Sequence, residues 1–137
     1  MLPLRYAAQW QMASALFLFL VLVAALMPAF WFLDDKVAAL SWFEKNDKWV
    51  HGATFLALSM WFTGLFRRGV YWRVAIGLLV FGLVIEGCQR MISYRTADWI
   101  DIAANMAGIV VGLSIGLAGL GGWCQRAENR LVGVRGD

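Results

Sequence analysis

The sequence predicts an all-α integral membrane bundle of four transmembrane helices with both termini in the cytoplasm, and three observations carry that prediction. The chain is 61% hydrophobic over 137 residues, and its eight tryptophans and nine phenylalanines exceed what a small soluble core can hide. Its apolar residues fall into separated runs of bilayer-spanning length. Its arginines collect on alternate connections between those runs.

A helix needs about 20 apolar residues to cross a hydrocarbon core of roughly 30 Å. Residues 12–33 supply an uncharged run, the first span. Arg5 ahead of it and the small residues Ala24 and Ala25 within it resemble a signal peptide. The run is longer than a signal h-region of roughly 7 to 15 residues, so it reads as a retained anchor with a kink at Pro28. The second span, 49–66, carries His51, Thr54, Ser59 and Thr63, which fits a helix facing other helices more than lipid. The third covers 70–89 and the fourth 99–123. Together they read as one membrane domain over residues 1–137, with no internal repeat and no soluble domain.

Orientation follows from the basic residues. Arg5, Arg67, Arg68, Arg73, Arg126, Arg130 and Arg135 fall on one side, against the acids Glu128 and Asp137. Lys36, Lys45, Lys48, Arg90 and Arg95 fall on the other, among more numerous acids. The positive-inside tendency puts the first set in the cytoplasm, in a bacterial inner membrane crossed several times. These arginines flank spans, so the basic pI of 9.2 speaks for topology and anionic lipid and against nucleic acid as a partner. Cys88 and Cys124 fall at opposite faces, which excludes a disulfide between them and leaves both as apolar filler. Trp31, Trp42, Trp49, Trp99 and Trp123 read as an interfacial belt.

Three outer helix ends share a polar character. Asp47 and His51 stand at i and i+4, beside Lys48. Glu86 and Gln89 end the third span, and Asp98, Asp101 and Asn105 form one stripe on the fourth. That stripe continues as Gly108, Gly112 and Gly116, whose missing side chains let another helix approach closely. Gly82 precedes Glu86 at the same spacing, so the third and fourth spans are expected to meet through these faces. Asp98 and Asp101 also suit the positive start of a helix, and Gln89 or Asn105 suit interhelical hydrogen bonds. Three helices presenting ionisable groups at one depth favour a site, because such groups are costly inside a membrane.

The pattern Asp47-Lys48-x-x-His51, Glu86-x-x-Gln89 and Arg95-x-x-Asp98-x-x-Asp101-x-x-x-Asn105-x-x-Gly108-x-x-x-Gly112 resembles the VanZ-like family of small bacterial membrane proteins, over about residues 47–112. That family commonly has a bulky residue after the histidine, where this chain has Gly52. The resemblance implies a polytopic cell-envelope protein, in a family whose namesake is associated with resistance to the glycopeptide teicoplanin.

Binding is the favoured function. Asp47, Lys48, His51, Glu86, Gln89, Arg95, Asp98, Asp101 and Asn105 would form an outward pocket for a polar headgroup on a membrane lipid or lipid-linked envelope precursor. Arg95 offers a planar fork to phosphate or carboxylate. An alternative is a membrane-embedded hydrolase or transferase, with His51 as base oriented by Asp47 and Glu86 as acid. A second alternative is a proton-coupled transporter with Glu86 and Asp101 as relay, which four helices could form only as a homo-oligomer. A single histidine and no ligand-spaced cysteines give little basis for a metal, and no cofactor is expected.

Overall fold

The computed structural model describes the backbone of residues 1–27, 36–91 and 99–133, and the side chains of 1–27, 48–91 and 99–131. The expectations placed on Pro28, Trp31, Trp42, the Asp47 side chain, Arg95, Asp98, Arg135 and Asp137 lie outside the described residues. Among those described the chain is all-helical: α1 (Ala7–Leu26), α2 (Lys36–Leu65), α3 (Tyr71–Arg90), α4 (Trp99–Ile115) and α5 (Trp123–Gly133). A 3-10 turn at Arg68–Val70 leads into α3, and a π turn at Gly116–Leu120 extends α4.

Three stretches are long and apolar enough to cross a bilayer, Ala7–Leu26, Arg68–Arg90 and Trp99–Leu120, which points to a membrane protein. α2 is not among them, because His51, Thr54, Ser59 and Thr63 dilute its apolar run. Its polar residues are turned inward instead: His51, Ser59 and Thr63 are buried together with Phe55 and Leu58. α1 is apolar round its whole circumference and buries only Ser14, as a peripheral helix in lipid would.

The helix ends differ from the sequence expectation. α1 begins at Ala7, ahead of Met12, and its α-helix stops at Leu26, after which Met27 is extended (φ −74, ψ 140). α2 begins at Lys36, well before Trp49. α4 does not run to Trp123. Gly119 has φ +132 and Gly122 has φ +73, a region open to glycine and strained for other residues, so the chain breaks there and α5 starts afresh.

α2 and α4 form the central pair, and they run parallel. A Cβ added to Gly108 would strike the Gly52 carbonyl; one on Gly112 would stand 2.6 Å from Ser59 Cβ and 2.9 Å from the Leu56 carbonyl; one on Gly116 would meet Thr63 Cγ2 at 2.6 Å. The glycine face of α4 therefore packs on α2, correcting the expectation that it meets α3. Periodicity identifies a bare face but not the helix that fills it. The part of the expectation involving Gly82 holds in a different form: a Cβ there would lie 3.0 Å from the Phe55 ring and 3.1 Å from Asn105 Nδ2. Phe55, Leu58, Leu78, Ile85 and Ile109 make the core between α2, α3 and α4, with apolar residues of α1 packed against it.

One end of this bundle is tied by backbone and aromatic contacts. Leu2 N–H donates to the Leu65 carbonyl (2.8 Å), and Gly122 N–H to the Thr63 carbonyl (2.9 Å). The indoles of Trp10, Trp61 and Trp123 meet edge to face with centroids 5.6–5.7 Å apart. Their N–H groups donate to Glu128, to Ser14 Oγ and to the Met60 carbonyl. Trp123 is thus part of the packing rather than of an interfacial belt, whereas Trp49 and Trp99 are exposed.

Candidate functional site

The polar end lies opposite that aromatic knot. Relative exposures are 7% for His51 on α2, 2% for Glu86 and 3% for Gln89 on α3, and 4% for Asp101 and 2% for Asn105 on α4. Five of the proposed site residues are therefore buried at one end of the bundle, contributed by three helices. At 1.5 Å per residue, Asn105 sits about 9 Å inward from Trp99 on α4 and Glu86 about 6 Å inward from Arg90 on α3, whereas His51 lies about 22 Å along α2 from Lys36.

The parallel packing of α2 on α4 positions the central pair. Because Gly52 and Gly108 let the backbones approach, His51 Nδ1 comes within 3.1 Å of Asn105 Oδ1. With the amide oxygen as acceptor, Nδ1 carries a proton and donates, which orients the ring. The other side of the Asn105 amide faces Gly82, where a side chain would press on Nδ2. Asn105 thus lies between α2 and α3, and the glycine opposite it makes the room.

Gln89 does a different job. Its Nε2 donates to the Ala25 carbonyl at 2.9 Å, in the last turn of α1. This bond ties α1 to α3 and gives Gln89 the role of interhelical link. Lys48 is exposed at the rim. The Arg90 guanidinium lies 5.6 Å from the Trp99 ring centroid, holding the end of α3 near the start of α4.

Further polar side chains are buried outside this cluster, among them Ser59, which the sequence places on a helix facing other helices, and Glu128, which it places in the tail. Ser59 Oγ is fully buried on α2 beside Gly112 and makes no hydrogen bond. Glu128, read as a tail acid, is buried at the opposite end, where it accepts from the amides of Arg5 (2.8 Å) and Tyr6 (3.0 Å) and from Trp10 Nε1 (2.8 Å). Burial pushes the Glu128 carboxyl up; these donations and the Arg5 charge outweigh it and hold the group below its ordinary value. Burial, with the Glu128 charge nearby, pushes the Cys124 thiol up to about 12, so that it packs as an uncharged apolar group. Cys88, half-buried at the polar end, and Cys124 are both free.

Among the described residues no group of His, Cys, Asp and Glu has the arrangement of a metal site. The cluster combines an oriented imidazole, buried carboxylates and amides contributed by three packed helices. Such a set can read the hydroxyls, amides or anionic oxygens of a headgroup whose apolar part stays in the bilayer. No protein-family model matches the chain, and neither a curated protein nor a solved structure matches it.

Proposed function

We propose that this is a VanZ-like, four-span protein of the bacterial cytoplasmic membrane whose polar pocket faces outward and binds the headgroup of a lipid-linked or amphiphilic envelope molecule. The observation that carries the reading is the burial of His51, Glu86, Asp101 and Asn105, from three helices, at the end of the bundle remote from Arg5, Arg67, Arg68 and Arg126. Ionisable groups kept at such a cost inside a membrane protein mark function more often than architecture. α2 supports the count of four spans. It runs beside α4 from the His51–Asn105 contact to Thr63 and Gly116, so a bilayer crossed by α4 also encloses α2. A link to resistance against teicoplanin-type glycopeptides follows only from the family resemblance.

The test is to purify the protein from its native membrane and identify co-purified lipids by mass spectrometry, beside the Glu86→Gln/Asp101→Asn variant. A headgroup class retained by the parent and lost by the variant is the expected result. Identical lipid profiles would remove the binding reading, and turnover of the retained lipid would replace it with catalysis.

A further inference from the structure

At the end remote from the polar cluster, two cavities lie side by side. The first, about 470 Å³, is an apolar groove between α1, α2 and α3, lined by residues including Leu18, Phe62, Phe66, Val74 and Phe81, with Arg73 at its basic end. The second, about 330 Å³, is a basin lined by Arg67, Arg68 and Arg126 together with Tyr71 and Gln125, and among the described residues no carboxylate lines it. Phe66 lines both. Arg126 is held in place by donating to the carbonyls of Gly119 and Leu120, which leaves its charge at the basin.

The dimensions match one leaflet. From Val70 to Phe81 the groove follows α3 for about 16 Å. A leaflet's share of the hydrocarbon is about 15 Å, half of roughly 30 Å. Gly77 sits in the middle of that wall, and a Cβ there would meet nothing within 4 Å. An interior helical glycine loses helix stability, and no neighbour needs this one to be small. The space beside it is what the missing side chain provides.

We propose that these two cavities form one site for an anionic phospholipid of the leaflet on the arginine side, with an acyl chain in the groove and its phosphate in the basin. Basic recesses between helices at a membrane surface attract anionic headgroups, and Arg67, Arg68 and Arg126 supply that charge. The occupant is a bulk lipid bound on the side opposite the polar pocket. The site therefore stands independently of what that pocket binds.

The experiment uses the full chain, stripped of lipid in neutral detergent and offered phosphatidylglycerol or phosphatidylcholine of the same acyl chains. Bound lipid is counted by native mass spectrometry. The parent should retain phosphatidylglycerol roughly tenfold better than phosphatidylcholine. Arg67→Gln/Arg68→Gln should bring the two lipids level. Gly77→Phe, which fills the groove from a position with open space, should lose the phosphatidylglycerol that Gly77→Ala keeps, and Val111→Leu, at an exposed position of α4 outside both cavities, should bind as the parent does. Equal retention of the two lipids by the parent would overturn the proposal, as would undiminished phosphatidylglycerol on Gly77→Phe. Should Gly77→Phe fail to accumulate, the arginine pair decides alone: a preference that survives its removal also overturns the site.

Discussion

The Glu128 carboxylate accepts the backbone N–H of Arg5 at 2.8 Å, so a residue of the last helix closes the entry to the first. Tyr6, the residue before α1, provides no side-chain cap of its own, and Glu128 Oε1 takes its amide as well. A carboxylate at this end also complements the positive pole of α1. Because folding lowers the Glu128 pKa, its contribution is fully present above the unfolded value of about 4.5 and is lost as pH falls through the lower folded value. Glu128→Ala should cost about 2 kcal/mol at neutral pH, read as a fall in detergent melting temperature. The parent should lose that margin on acidification below the ordinary carboxylate range, while the variant, lacking the group, should show a flatter acid limb. Parallel melting curves for the two across that range would remove the cap from the stability of the fold.

The glycine face leads to a second prediction. On Gly112 even an alanine would bring Cβ against Ser59 Cβ and the Leu56 carbonyl, and the carbonyl is backbone that cannot swing aside. Gly112→Ala should destabilise by about 2 kcal/mol and Gly112→Leu by more. Val111, one position round the helix, is exposed, so Val111→Leu should be tolerated. Gly77→Ala should match or exceed the parent, since it adds helix propensity in open space. A detergent thermal-shift series ranks the four, and equal melting of Gly112→Ala and Val111→Leu would contradict the packing of α4 on α2.

How far the sequence could be read depends on the kind of contact. Apolar runs mark helices because every backbone group in hydrocarbon must be satisfied within its own helix, and the runs at α1, α3 and α4 were visible for that reason. Asn105, Gly108 and Gly112 were legible as one stripe, since spacing alone sets a helical face. Their partner was not, because Gly52 and Leu56 on α2 carry no mark that distinguishes them from Gly82 on α3. Glu128 and Trp123 were misread for a related reason. A single acid or indole beyond the last apolar run looks the same whether it faces water or folds back over the start of the chain, as these two do through Gly119 and Gly122. The break itself had a signal in the density of glycines from 116 to 122.

Topology gives the third prediction. Leu2 bonds to Leu65, and Glu128 to Arg5, so the start of the chain, the α2–α3 turn and α5 share one end of the bundle. On the proposed orientation, which puts that end in the cytoplasm, a fluorescent protein that matures only there should glow when fused at either terminus. Periplasmic phosphatase activity from a fusion after Asp137 would invert the proposed orientation and turn the polar pocket inward.

The last prediction separates a working site from architecture at the His51–Asn105 pair. Asn105 Oδ1 fixes the imidazole at 3.1 Å, and both side chains are buried, so removing the amide leaves a ring donor without that acceptor. Asn105→Leu should lower the melting temperature, by the equivalent of about 1 to 3 kcal/mol, whatever the pair is for. Glu86→Gln and Asp101→Asn keep the shape of their side chains while removing charge, and both should still accumulate in the membrane. If the cluster binds a headgroup, these two variants should fail to rescue the envelope phenotype of gene deletion per folded molecule, with little change in melting. If the groups serve only to join helices, function should instead track abundance and melting temperature across all three variants, with surviving protein as active as the parent. Activity per folded molecule, normalised to membrane-inserted protein, is the quantity that divides the two.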